Sequence, residues 1–194
     1  DYSAMITQRL GLGANSLVIE VAANDGYLLR NFVQAGITCL GVEPTAATAD
    51  AAEAQSVPVL RQFFGTALGQ KLASDGKQAD LIIGNNVYAH VPDINDFTAG
   101  LKAALKPCGT ITLEFPHLLQ LIEHNQFDTV YHEHFSYLSL HAVQRIFQAQ
   151  ELRLWDVEQL PTHGGSLRVY GIHADDPRPS TQAVADLLAT EQQQ

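Results

Sequence analysis

Residues 18–32 read VIEVAANDGYLLRNF, and the order within that stretch decides the fold: a short apolar strand, an acidic residue, a polar turn ending in glycine, then an amphipathic helix. Residues 17–22 have the apolar, β-branched character of a buried central strand in a parallel sheet. Asn24-Asp25-Gly26 is a turn signal, since Asn and Asp bond their own backbone and Gly accepts a left-handed conformation. Leu28, Leu29, Phe32 and Val33 recur at helical spacing, and Gly36 is the stop. This is the first half of a nucleotide-binding βα unit. Open α/β sheets bind ligands at turns on the carboxyl ends of their strands, so a nucleotide-like cofactor is expected here.

The glycine count argues against a dinucleotide. A pyrophosphate needs the backbone approach that G-x-G-x-x-G provides at a helix N-terminus. Here Ala22, Asn24 and Gly26 occupy the turn, and no basic residue sits in it. Glu20, followed by small residues at every second position, instead resembles the E-x-G-x-G-x-G signature of class I methyltransferases, which bind S-adenosylmethionine. The stretch departs from that signature at Ala22 and Asn24. An ordinary βα turn in another α/β protein is the competing reading.

The chain has 194 residues, 46% apolar and 16% charged, which is enough to bury the core of one domain. A formal charge of −10 without a Lys/Arg cluster disfavours nucleic acid and anionic membranes as partners. No apolar run approaches the roughly 20 residues that span a bilayer, and no signal peptide opens the chain, so a cytoplasmic location is expected. Cys39 and Cys108 lack metal spacing and read as buried thiols rather than a disulfide. The start at Asp1 and the helical-looking end, ATEQQQ, suggest a piece of a longer protein.

Further along, the plan of the first unit repeats. Residues 37–43, ITCLGVE, read as a second buried strand ending in Glu43, 17 residues beyond Gly26. An acid at about that distance accepts hydrogen bonds from ribose hydroxyls in nucleotide-binding βαβ units. Pro44 ends the strand and Thr45 caps an alanine-rich helix to about Gln55. Residues 57–64 read as a third strand, at whose end Gln62 and Phe63 could line an adenine slot; paired aromatics such as Phe63-Phe64 are also common in cores. A helix over 66–74 leads to a fourth strand, 79–86, whose end lies beside the first in the strand order that the methyltransferase resemblance implies, which places Asn85 and Asn86 at the cleft. Asp93 caps a helix with Ile94, Phe97, Leu101 and Leu105 on one face, closed by Pro107-Cys108-Gly109; residues 110–115 are strand five. Strands alternating with helices predict a doubly wound, mostly parallel sheet with right-handed crossovers.

Beyond Pro116, His117, His124, His132, His134 and His141 fall within 25 residues. Their spacing is not that of a metal site, because HEH lacks the i, i+4 geometry of H-E-x-x-H and no cysteine is near; no metal is expected. His117, His124 and His141 read as surface or helix-capping residues. Residues 152–159 and 166–172 read as two further strands across THGG; the resemblance to class I methyltransferases implies that they are the sixth and seventh of a Rossmann-like seven-stranded sheet, the last antiparallel and inserted beside the fifth. His163-Gly164-Gly165 is the connection between them. Arg178, between two prolines, reads as the start of a linker. The domain is therefore expected over 1–175, with 176–194 a linker and helix towards a further domain.

The blocks NNVYAHVP (85–92), FDTVYHEHFSYLSL (127–140) and LPTHGGSLRVYG (160–171), together with EVAANDGYLL and GVEP, resemble the C-methyltransferases that act on nucleotide-linked keto-deoxysugars. The resemblance covers nearly the whole chain, and the YHEHFSYLS block is its distinctive part. It implies S-adenosylmethionine as cofactor, with S-adenosylhomocysteine as its product, held by Glu20, Ala22, Asn24, Gly26, Tyr27, Glu43, Gln62, Phe63, Asn85 and Asn86. A nucleotide-linked sugar is the implied substrate, and flanking domains, an N-terminal zinc-binding module and a C-terminal α/β domain, are implied outside this chain.

Such chemistry takes a proton from a carbon beside a ketone and directs the enolate at the sulfonium methyl, so it needs a base, donors to the enolate oxygen, and orientation. The resemblance implies His134 as base with Glu133 as its rival, and His90 and Tyr131 as groups that orient the sugar or stabilise the enolate. In an extended segment Tyr131 and Glu133 share one face and His134 points to the other, so a bend is required if all three are to meet. An O- or N-methyltransferase acting on a small metabolite, and a non-catalytic cofactor-binding module, remain as alternative functions.

Overall fold

The computed structural model describes residues 2–193, apart from the side chain of His163; Asp1 and Gln194, the two ends remarked on above, lie outside it. Seven strands form one sheet: β1 (Leu17–Val21), β2 (Thr38–Val42), β3 (Val59–Leu60), β4 (Ala79–Asn85), β5 (Leu105–Pro116), β6 (Leu152–Leu160) and β7 (Ser166–His173), in the order β3-β2-β1-β4-β5-β7-β6. Pairings from β3 to β5 are parallel, and β7 runs antiparallel between β5 and β6. This is the expected doubly wound, mostly parallel sheet.

Alternation along the central strands builds two cores. Ile19, Ile82, Ile111 and Leu113 face α4 (Thr66–Ser74), α5 (Ile94–Ala104), α7 (Leu140–Ala149) and α8 (Gln182–Gln192). Val18, Leu81 and Ile83 face α1 (Tyr2–Leu10), α2 (Leu29–Gln34) and α3 (Ala46–Ala54). Each buried Leu, Ile or Phe contributes about 1.5–3 kcal/mol. The carboxyl ends of β1, β2 and β4 consequently converge on one edge, where the loops are free to build a site.

Local departures from the sequence reading have identifiable causes. The third strand shrinks to Val59–Leu60, because β3 is an edge strand with no partner to hold residues 61–64 in a ladder. Pro107-Cys108-Gly109 does not close α5, which ends at Ala104; it lies in β5, where the pairing with β4 slips between Ala79↔Leu105 and Leu81↔Thr110. Pro107 cannot donate to a ladder, and this irregularity accommodates it. Cys108, in this stretch of β5, is exposed rather than the buried thiol expected, whereas Cys39 in β2 is buried; neither is in a disulfide.

Residues 176–192 are packed onto the domain rather than strung out from it. The guanidinium of Arg178 donates to Asp176, Thr110 and the carbonyl of Gly109, and α8 buries Val184 and Leu187 against the sheet. The sequence reading passed over α1, α6 (Leu118–Glu123) and α7. Among the described residues no helix is long and apolar enough to cross a membrane.

Candidate active site

At the carboxyl edge, the turn after β1 takes a left-handed backbone at Ala22 (φ 57°), Asn24 (φ 52°) and Gly26 (φ 77°), the three positions where the class I signature carries glycine. Asn tolerates that conformation, whereas Ala22 carries strain of about 1–2 kcal/mol. At Gly26 a Cβ would lie 3.1 Å from Ala52 and from Val57, so side-chain space as well as backbone demands glycine. Glu43, buried at the end of β2, joins this turn to the next: Oε2 accepts from the Asn24 N–H (3.2 Å) and Oε1 from the Thr45 N–H (2.8 Å). Each oxygen keeps a lone pair for a hydroxyl donor.

Glu20 is 2% exposed and its Oε2 has no hydrogen-bond partner. Burial, with Asp25 adding to it, pushes its carboxyl up to about 8. On the adjacent strand β4, the buried Oδ1 of Asn85 is also without a partner. Two unsatisfied acceptors at the same strand edge are expensive unless a ligand supplies donors.

Beside this edge lies a cavity of about 450 Å³ walled by Val21, Val42, Val87 and Phe64, with Ala22, Gln62 and Phe63 also lining it. Of the two adjacent aromatics, Phe64 is the core member, edge-on to Phe97 at 5.3 Å, and Phe63 is 85% exposed on the rim. Asp93 caps α5 as expected, accepting from Asn95 and Asp96 N–H, and also lines this cavity. Glu20, Asn24, Gly26, Glu43 and Asn85 stand at the strand ends without lining it; Tyr27 is half exposed and lines neither this cavity nor the next.

A second cavity of about 250 Å³ is lined by Asn86, Ala89, His90, Pro116, Asp128, Thr129, Tyr131 and His134. Asn86 turns sharply after β4 (φ 52°) and donates its N–H to Glu114 O (2.8 Å). The 3-10 turn Tyr88–His90 follows, anchored by the fully buried Tyr88, whose hydroxyl bonds Thr98 at 2.7 Å. The carbonyl of Ala89 then accepts from both Phe135 and Ser136 N–H (2.8 and 3.2 Å), which ties the histidine-rich loop to that turn. His90 lines both cavities.

The bend that the sequence required is present as a turn closed by His134 N–H on Tyr131 O at 3.1 Å. It brings Tyr131 and His134 together and leaves Glu133 exposed, lining neither cavity. The carbonyl of Thr129 can only accept, so His134 Nδ1, 2.9 Å away, carries the hydrogen; Nε2 is then the acceptor for the Tyr131 hydroxyl at 3.1 Å. Burial first, and then His134, lower His90 below the ordinary imidazole range.

Asp128, Thr129, Ala89 and Pro116 were missed as site residues, although Asp128 and Thr129 lie inside the quoted block 127–140. His124 caps α6 with Nδ1 on Gln120 O. His117, read as a surface or capping residue, is 1% exposed and hydrogen-bonded to Glu191. Among the described residues no three His, Cys, Asp or Glu side chains group as a metal site requires.

Known proteins resemble this chain in sequence and in fold. The chain is 37% identical over 190 residues to the C-methyltransferase NovU of Streptomyces niveus, covering 98% of this chain and 45% of that protein, so it spans less than half of that relative's length. A ubiquinone biosynthesis O-methyltransferase of Bartonella tribocorum is 27% identical over 96 residues, 49% of this chain and 39% of its own. Among solved structures, magnesium protoporphyrin IX methyltransferase of Synechocystis PCC 6803 superposes with a TM-score of 0.64 at 13% identity, covering 89% of this chain and 83% of that one. A methyltransferase of Haloferax volcanii, solved with its Trm112 activator, gives 0.65 at 13% identity, over 89% and 93%. The family model described as a methyltransferase domain matches residues 3–157, four-fifths of the chain, and the chain belongs to that family.

Proposed function

We propose that this domain binds S-adenosylmethionine and methylates a carbon beside the ketone of a nucleotide-linked keto-deoxysugar. The observation that carries the reading is His90, which forms a wall common to an apolar cavity at the cofactor edge and a polar cavity holding a tautomer-locked histidine. The residues present fit the cofactor: the unpartnered Glu20 Oε2 and Asn85 Oδ1 suit an ammonium, Glu43 suits ribose hydroxyls, and the valine-walled cavity suits adenine. When bound, the cofactor supplies an electrophilic methyl on a sulfonium.

The protein's part is proton transfer and positioning. His134 Nε2 takes the α-proton, and the C–H pair becomes the enolate, whose carbon would be the acceptor of that methyl. Nε2 is freed when the Tyr131 hydroxyl turns from it to the developing enolate oxygen, so one rotation supplies both the base and the donor. His90 orients the sugar between the cavities. Support for a carbon acceptor comes from the name of the Streptomyces relative and from this dyad, for which an O- or N-acceptor has less use. Flanking domains of a longer chain belong to the same proposal.

The experiment is to incubate the protein with methyl-¹³C cofactor and a nucleotide-linked keto-deoxysugar and read the product by NMR. A methyl on carbon is expected; a methyl on oxygen or nitrogen would overturn the carbon assignment, and a folded protein with no cofactor binding would overturn the whole reading.

A further inference from the structure

Between β5 and α7 the chain makes an excursion, residues 117–139, that carries Asp128, Tyr131 and His134. Much of it is poorly packed: Ile122, Phe127, Val130 and Phe135 are each at least 60% exposed. Its middle is tied by Phe135 and Ser136 N–H to Ala89 O and by Gln126 Nε2 to Gly164 O, and its base is closed where Leu118 N–H donates to Leu138 O and His117 N–H to Gly165 O, both at 3.0 Å.

One carboxylate from a distant part of the chain completes that base. Glu191, near the end of α8, accepts from His117 Nε2 (2.8 Å) and Leu140 N–H (2.7 Å) through Oε1, and from His141 N–H (3.0 Å) through Oε2. The His117 and Glu191 side chains are 1% and 5% exposed. Burial opposes the charge, yet the bonds from His117, His141 and Leu140 outweigh it and hold Glu191 below the usual carboxylate range. The first turn of α7 also favours an anion. His141 returns the contact through Nε2 to Leu188 O at 3.1 Å. One residue therefore grips both ends of the excursion, His117 where it leaves the sheet and the α7 N-terminus where it rejoins. Glu191 lies outside residues 3–157, the part matched by the family model.

We propose that Glu191 is a positioning residue for the catalytic loop: from α8 it clamps the base of residues 117–139 and so holds Tyr131 and His134 against His90. The assignment rests on the reading of Tyr131 and His134 as catalytic. Without the carboxylate, His117, whose Nδ1 already lacks a partner, has neither ring nitrogen satisfied, and two amides at the α7 N-terminus are orphaned. These losses fall at the loop base and leave the cofactor edge of β1, β2 and β4 untouched.

The test compares Glu191→Ala and Glu191→Gln with wild type in the full chain, reading amide hydrogen exchange, S-adenosylhomocysteine affinity and steady-state kinetics. In Glu191→Ala, amides of 117–139 should exchange on the order of 10- to 100-fold faster. Those of β1, β2 and β4 should keep their rates, cofactor affinity should change less than about 2-fold, and kcat should fall about 10-fold. Glu191→Gln, which keeps one acceptor, should recover part of both effects and serves if the alanine variant is unstable. Unchanged loop exchange in both variants, or acceleration spread evenly over the sheet, would overturn the proposal. Should wild type methylate no carbon, the proposed function fails, while the exchange measurement still decides the clamp.

Discussion

His90 and His134 meet edge to face, their ring centroids 4.7 Å apart, where the two cavities share a wall. His134 is bound on both ring nitrogens, by Thr129 O and the Tyr131 hydroxyl, whereas His90 sits between the cavities with its charged form disfavoured by burial and by His134. In the function proposed above the two imidazoles take different tasks, His134 to move a proton and His90 to shape the passage between donor and acceptor.

His90→Asn should accordingly raise KM for the sugar about 10-fold while proton abstraction continues near the wild-type rate. Because the His90 pKa is lowered, it stays neutral down to a pH below the ordinary 6.5, and protonation should impair substrate binding only below that point. Sugar affinity measured against pH for wild type and variant checks this; an acid-side loss of affinity that stays the same in both removes His90 from the passage.

Ala22→Gly and Gly26→Ala should shift stability in opposite directions although they alter the same turn. Relief of the left-handed alanine is worth about 0.5–1 kcal/mol after the entropy of the new glycine is subtracted. Gly26→Ala adds a Cβ at φ 77° that also presses on Ala52 and Val57, and should cost about 1–3 kcal/mol. Urea unfolding of both variants measures the pair.

The strands were legible because each is an apolar run punctuated by Gly, Pro, Asn or Asp, and right-handed crossovers leave few ways to assemble such runs; the neighbours of the fourth and seventh strands came from the resemblance to class I methyltransferases. Where pairing rather than composition sets the boundary, the reading failed: Phe63 and Phe64 look like strand, but an edge position leaves one on the rim and the other in the core. Helix α7 had a visible cap in Ser139 and an apolar face in Leu140, Val143 and Phe147, obscured by attention to the histidines before it. In the site, residue types were readable and their geometry was not. The turn at 131–134 depends on Ala89 accepting from Phe135 and Ser136, contacts 46 or more residues apart in the chain that no local pattern encodes. The same holds for His117, whose partner Glu191 comes from α8.

Glu20 predicts a pH dependence of stability. Its folded-state pKa is raised from 4.5 to about 8, so between those values the folded state binds a proton that the unfolded state does not. Stability from this group is therefore lost as pH rises from 4.5 through 8, by an amount on the order of a few kcal/mol. Glu20→Gln, permanently neutral, should melt higher than wild type at pH 8, nearly match it at pH 4.5, and bind S-adenosylmethionine more weakly. Parallel melting curves of the two proteins across that range would dismiss the buried carboxyl as their source.

The most discriminating prediction concerns the base. Thr129 O fixes the hydrogen on His134 Nδ1, which leaves Nε2 as the basic atom facing Tyr131, while Glu133 is exposed and lines neither cavity. His134→Asn should lose solvent deuterium exchange at the carbon beside the ketone, and methyl transfer with it, by about 100- to 10,000-fold, with S-adenosylhomocysteine affinity unchanged. Tyr131→Phe keeps Nε2 but removes the donor to the enolate oxygen, so both rates should fall by a smaller factor. Glu133→Gln should leave exchange close to wild type. If His134→Asn exchanges normally and Glu133→Gln does not, the loop must rearrange when substrate binds, and Glu133 is the base.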